Sequence, residues 1–241
     1  MKELYYSISA EVFRQFPGYV RGVVICHAVR NSDSPPELTA MLRAAEASLR
    51  QQINLENIAA HPNIAAWREA FRLLGVKPSE FRSSIEALGR RALREQELPS
   101  INPLVDIGNI LSLRHLIPAG GHAIDTLTQD IELRPATGQE LFIPFGEAPD
   151  AIPEHPNPGE IIFVEGNTVL TRRWVWRQSN HTLTLPTTTA FELNIDGLPP
   201  VTLAKVEEIC QEAMALIERF CGGRMWVEVI TQQNPRIRLA S

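Results

Sequence analysis

Four stretches of the sequence carry residue types at spacings that suit chemistry. In SINPLVDIGNILS (100–112), Asn102, Asp106 and Asn109 recur four and three residues apart, so a helix sets them on or near one face among Leu104, Ile107, Ile110 and Leu111. Such a stripe can hold a ligand's amine or amide groups, with Asp106 the candidate for an amino group. Equally, Asn102 is a helix N-cap and Asp106 complements the positive end of the helix. In PAGGHAID (118–125), Gly120-Gly121 allows a ligand close to the backbone or simply makes a tight turn, and His122 and Asp125 follow within helical or turn reach of one another. In RRWVWR (172–177), a strand would put Arg173, Val175 and Arg177 on one face and Arg172, Trp174 and Trp176 on the other. Two tryptophans beside cations make an aromatic wall for a base, a ring or a carboxylate, or else the tryptophans are core and the arginine stems lie along the surface. Last, Arg72, Lys77, Arg82, Arg90, Arg91 and Arg94 form a basic run diluted by Glu80, Glu86 and Glu95, which reads as a solvated face or as a phosphate-contacting patch.

Other chemistries find no support. There is no G-x-S-x-G elbow, no phosphate-binding glycine loop, no dinucleotide fingerprint and no H-E-x-x-H pair. The six histidines lack metal-ligand spacing, so no metal and no cofactor are expected. A net charge of −5 over 241 residues argues against a broad nucleic-acid footprint, leaving only local basic patches. No apolar run is long enough for a bilayer, and the opening MKELYYSISAEVF lacks a signal-peptide core. Three cysteines without pairing pattern fit a reducing compartment, so a cytoplasmic protein without membrane contact is expected. No oligomeric state follows from the sequence.

The elements that must position these residues follow from periodicity. Strands are expected over Leu4–Phe13 and Arg21–Val29. A helix capped at Ser34 continues through Leu38, Met41, Leu42, Ala45, Leu49 and Ile53. A second spans His61–Leu74, and a third follows Lys77-Pro78-Ser79 with Phe81, Ile85, Leu88 and Ala92 on one face. A fourth runs from Asn102 to the stop at Pro118–Gly121. From Ile131 onward IELRPA, ELFIPF, EIIFVEG, TVLTRRWVWR and TAFELNID read as strands, and APDAIPEHPNPGE (148–160), with its prolines, as an exposed loop. A final helix over Val201–Phe220 and a strand over Arg224–Ile230 close the chain. Segregated helices and strands predict an α+β fold with a mixed or antiparallel sheet and a helical block, and without a linker one domain over 1–241 is expected.

The runs GVKPSEFRSSIEAL and LPSINPLVDIGNILSLRHLIPAGGHAIDTL, with the later GE…RRWVWRQ…T, resemble the B3/B4 domain family. These domains form the tRNA-editing module of the phenylalanyl-tRNA synthetase beta chain and also occur as free-standing proteins. The resemblance covers about Trp67 to Leu198, densest at 75–127 and 159–188, with 1–66 and 199–241 as integral flanks. It implies a pocket between helix and sheet that takes the aminoacylated 3′ end of tRNA and hydrolyses the ester of a wrong amino acid without a Ser or Cys nucleophile. Under that likeness Asn102, Asp106, Asn109, Gly120, Gly121, Trp174, Trp176, Arg177 and Ser179 are the expected substrate-binding residues. His122 and Asp125 position the water, and Arg90, Arg94 and Arg173 meet RNA. The chain departs from the synthetase at two places: Gly120 stands where the loop histidine is expected, with His122 two residues on, and Ser179 stands where a glutamate reads the tyrosine hydroxyl. Both match the free-standing branch, and no aminoacylation motifs are present. The expectation is therefore a hydrolase acting in trans on mischarged aminoacyl-tRNA, with an amino-acid or small-amine binding module as the alternative.

Overall fold

The structure is a computed structural model and describes residues 3–148 and 150–239. The chain opens with β1 (Tyr5–Ile8), α1 (Ala10–Gln15) and β2 (Val20–His27). The helical block follows: α2 (Pro36–Gln52), a 3₁₀ turn at Ile58–Ala60, α3 (Pro62–Leu73), α4 (Ser84–Leu93) and α5 (Pro103–His115). Then come β3 (Ala119–Ala123), β4 (Ile131–Pro135), β5 (Ile161–Glu165), β6 (Thr168–Arg172), β7 (Arg177–Gln178) and β8 (Ala190–Gly197). The end is α6 (Leu203–Phe220), β9 (Arg224–Ile230) and β10 (Arg236–Arg238). The fold is α+β.

Two sheets result. One has the order β10-β1-β4-β5-β6-β7 and is mixed, since β1 runs parallel to β4 and the other pairs are antiparallel. The other has the order β3-β8-β2-β9 and is antiparallel throughout. The four-stranded sheet has two unlike faces because side chains alternate along β8. Leu193, Ile195 and Gly197 face the helices. Gly22 and Gly197 are required there, because an added Cβ at either would overlap Val206 of α6. Glu192, Asn194 and Asp196 point the other way, toward the six-stranded sheet, and all three are buried. The core draws on both ends of the chain, from Tyr6 and Ile8 to Ile237 and Leu239. Cys26, Cys210 and Cys221 are free and buried, with thiols pushed up to about 12 by burial, so they act as small apolar groups. Among the described residues, no helix is long and apolar enough to cross a membrane.

Several expected elements change in ways that matter for the site. The fourth helix ends at Leu116, which takes the left-handed conformation with φ +50°, and Pro118 bars any continuation. The expected glycine turn is instead strand β3, paired with β8. Gly121 is needed there because a Cβ would run into the Glu192 carbonyl and the Phe191 ring, whereas a Cβ on Gly120 meets nothing within 4 Å. RRWVWR is not a strand. β6 stops at Arg172, and Arg173 and Trp174, both at positive φ, turn the chain into β7. The alternation expected for this stretch therefore fails. The third helix starts later, at Ser83, whose hydroxyl accepts from Glu86 N, and Ser34 is not a cap. ELFIPF makes isolated bridges rather than a strand, Leu4–Phe13 splits into β1 and α1, and β10 was not anticipated.

Candidate functional site

Between the two sheets lies a chamber of about 130 Å³. Its polar lining comes from β2 (Arg21), β3 (His122), β6 (Thr171), β7 (Gln178) and β8 (Asn194, Asp196), and its apolar lining includes Phe163 and Trp174. It adjoins a cleft of about 450 Å³ running along α5, lined by Leu88, Ile101, Leu104, Asn109, Phe145 and Leu185, among others. Ser84, Gly120, Gly121, Trp176, Arg177 and Gln178 line both spaces and form the neck between them. The outer part is mainly apolar, and the inner part mixes buried polar groups with the Phe163 and Trp174 rings. That suits a ligand whose body lies along the cleft and whose polar tip enters the chamber.

A hydrogen-bonded network underlies the chamber. Arg21 Nε donates to Asp196 Oδ1 at 2.6 Å, and Arg21 Nη1 donates to the Tyr6 hydroxyl. Tyr6 donates to Asn194 Oδ1 at 3.0 Å, and Asn194 Nδ2 donates to Glu192 Oε1 at 3.0 Å. The Tyr19 hydroxyl donates to Asp196 Oδ1 and accepts from Trp174 Nε1 at 3.1 Å. A buried ion pair is held by satisfying its remaining atoms, and here the two tyrosines do so. Burial keeps both phenols well above their usual pKa, so they stay protonated donors. Burial also pushes the Glu192 carboxyl up to about 8, against the pull of Arg21 and Asn194, and leaves Oε2 without a partner. At neutral pH Glu192 is therefore an uncharged acid.

His122 is uncharged for the same reason. Burial, and then Arg21 and His181, lower it to about 3. Its Nδ1 lies 2.6 Å from the Thr182 hydroxyl and 3.3 Å from Gln178 Nε2, whose two N–H groups already reach the Gly121 and Thr182 carbonyls. Nε2 faces Thr171 Oγ1 at 3.3 Å, so a hydroxyl meets each ring nitrogen.

The structure brings some of the expected residues together and separates others. Asn109, Gly120, Gly121, Trp176, Arg177 and His122 all line the combined cavity, as does Trp174, whose indole is otherwise buried against Phe16, Tyr19 and Trp67. Asn102 does not line it. Its Oδ1 accepts from Val105 N at 3.1 Å as the α5 cap, and its Nδ2 donates to Thr184 O. Asp106 is fully buried away from the cavity, accepting from Ser34 Oγ, Ser100 Oγ and Ile101 N and so fixing the loop that enters α5. Asp125 does not pair with His122; its Oδ2 accepts from Thr189 N and Oγ1 and from Ala190 N at the start of β8. Ser179 is buried outside the lining and accepts from His181 N.

The arginines expected to meet RNA share no surface with the cleft. Arg90 Nε pairs with buried Glu86 at 2.9 Å, and Arg94 is exposed at the end of α4. Arg173 packs against the T-shaped Phe81–Trp176 pair, its guanidinium 3.8 Å and 4.4 Å from the ring centres, and faces a separate hollow beside Lys77 and Glu160. No group of three or more His, Cys, Asp or Glu capable of holding a metal exists among the described residues.

The residues that sequence reasoning missed are those of the chamber floor: Arg21, Asn194, Asp196, Thr171 and Gln178, with Glu192 behind them. Their one visible signal is the alternation in FELNID, where Glu192, Asn194 and Asp196 interleave with Phe191, Leu193 and Ile195. That pattern also describes an ordinary strand with one solvated face.

Comparison with known proteins places this geometry. A solved N-terminal fragment of the phenylalanyl-tRNA synthetase beta subunit from Pyrococcus horikoshii matches with a TM-score of 0.44 at 10% identity, over 94% of this chain and 54% of that one. The chain thus spans about half the length of that fragment. A search of curated proteins gave no match. The family model described as the B3/4 domain matches residues 66–222, a span that supplies the whole cleft lining and all of the chamber lining except Arg21. With well over half of its length matched, the chain belongs to the B3/4 domain family.

Proposed function

We propose that this protein hydrolyses mischarged aminoacyl-tRNA in trans, taking the aminoacylated 3′ end into the cleft and the amino-acid side chain into the chamber. The observation that carries the reading is the neck. A side chain seated in the chamber leaves its ester at Gly120, Trp176, Arg177 and Gln178, where the Arg177 guanidinium and the backbone of an open glycine meet the carbonyl. Water adds to the ester carbonyl, the bond to the ribose oxygen breaks, and that oxygen takes up a proton. The ester is already activated, so positioning and charge stabilisation are the main requirements. His122 lines the chamber, held between the Thr182 and Thr171 hydroxyls.

The same cavity supports a second reading, an amino-acid or small-amine binding module, because an apolar cleft leading to a chamber floored by a buried ion pair can hold such a ligand without any chemistry. A panel of mischarged tRNAs decides between them. The hydrolase reading expects deacylation by the native protein and its loss in Gly120→Leu, whose added side chain grows into the open neck without disturbing the strand. Calorimetric binding of a free amino acid with no deacylation of any tRNA in the panel would replace the hydrolase with the binding module.

A further inference from the structure

We propose that the inner chamber is a pocket for a small, uncharged side chain bearing a hydroxyl or a carboxamide, read by the Arg21–Asp196 pair at its floor. This rests on the aminoacyl-site reading above and names the substrate class that site accepts.

The floor is asymmetric. Asp196 Oδ1 accepts both from Arg21 Nε at 2.6 Å and from the Tyr19 hydroxyl, while Arg21 Nη1 is spent on Tyr6. Among the described residues, Asp196 Oδ2 and Arg21 Nη2 have no hydrogen-bond partner, and neither is sealed from solvent as an orphaned buried atom. Both residues line the chamber. The floor therefore offers unpaired acceptor and donor capacity on two residues already joined through Arg21 Nε and Asp196 Oδ1. Asn194, also in the lining, gives its oxygen to Tyr6 and one of its two N–H groups to Glu192.

A hydroxyl or a carboxamide both donates and accepts, so either can satisfy Oδ2 and Nη2 together. An ammonium would satisfy Oδ2 but meet the guanidinium as a like charge, and a carboxylate would do the reverse. The ion pair is neutral as a unit, and its neighbours His122 and Glu192 are uncharged. Any charge brought in would be shared between one partner of that pair and the like charge of the other, leaving a net buried charge. An apolar side chain would strip water from Oδ2 and Nη2 and replace none of its hydrogen bonds. Size sets the last limit. The chamber measures about 130 Å³, somewhat below the roughly 150 Å³ of a cavity known to hold benzene. Short side chains fit, with Phe163 and Trp174 packing their carbons.

The test uses adenosine analogues that carry the amino acid through a 3′-amide, which the protein cannot turn over, titrated by calorimetry. Seryl, threonyl, asparaginyl and glutaminyl analogues should bind about tenfold or more tighter than alanyl, valyl, phenylalanyl, aspartyl or lysyl ones, as a site with paired polar groups discriminates. Tightest binding of the phenylalanyl or a charged analogue would overturn the proposal. Because the analogues are inert, selective binding without any tRNA deacylation would sink the hydrolase and leave this assignment standing. Deacylation with an aromatic or charged preference would do the opposite. Asp196→Asn supplies a second arm, since it leaves Arg21 uncompensated and should raise affinity for the aspartyl analogue about tenfold relative to the asparaginyl one. An unchanged order of preference in a folded Asp196→Asn protein would refute the role of the pair, and if that variant does not fold the native panel alone decides.

Discussion

Glu192→Gln should stabilise the protein, and by an amount that grows with pH. Glu192 is fully buried, its Oε2 has no partner, and burial lifts its carboxyl from 4.5 to about 8. The unfolded chain loses this proton near pH 4.5, while the folded chain keeps it until about pH 8. Below 4.5 both states are protonated and the group costs nothing. Between the two values the unfolded state is favoured by ~1.4 kcal/mol per pH unit, which amounts to about 3 kcal/mol at pH 7 and a ceiling of about 5 kcal/mol above pH 8. Glutamine keeps the oxygen that accepts from Asn194 Nδ2 and cannot ionise. Thermal denaturation of the native and Glu192→Gln proteins should show nearly equal midpoints at pH 4.5 and a gap of roughly 6–12 °C at pH 7. His122 acts in the opposite sense. Its folded pKa is depressed to about 3 from 6.5, so the stability it contributes is present above pH 6.5 and is lost as pH falls toward 3. The native curve alone therefore mixes two opposing slopes between pH 4.5 and 6.5, and the difference between the two proteins isolates Glu192. A difference that stays constant from pH 5 to 8, or narrows, would refute the claim that Glu192 is held as a neutral acid.

Two further predictions separate the architecture of the site from its chemistry. Gly121→Ala should destabilise the fold by about 2–3 kcal/mol in denaturant titration, because its Cβ meets the Glu192 carbonyl and the Phe191 ring. Gly120→Ala should stay within about 0.5 kcal/mol of the native protein. Asp106→Ala should cost about 3 kcal/mol, since Ser34, Ser100 and the Ile101 amide all lose a buried acceptor, while ligand titration into the cleft stays unchanged. Weakened binding in a folded Asp106→Ala protein would show that Asp106 reaches the ligand after all.

Local information in the sequence was enough for the helical block and for most strands. Asn102-Pro103 opens α5 as a cap and first-turn proline, and the stripe Ile64, Trp67, Phe71 marks the buried face of α3. These features depend on residues a few positions apart, where side-chain periodicity and capping decide the outcome. The family resemblance marked the span 67–198, and the family model covers 66–222.

The site was only half legible, for a physical reason. In RRWVWR, alternation assumed a continuous strand, but Arg173 and Trp174 take positive φ, sending Trp174 into the core against Trp67 and Trp176 to the neck of the cavity. Asp106 and Asp125 looked available because nothing local shows that Ser34, 72 residues away, and Thr189, 64 residues away, would claim them. The chamber itself exists because β8 lies between β3 and β2 with its polar face against a second sheet. In sequence, Glu192, Asn194 and Asp196 are indistinguishable from a strand face turned to water. Only long-range pairing with Arg21, Tyr6 and Tyr19 buries them, shifts the protonation of Glu192, and makes that face the floor of the chamber.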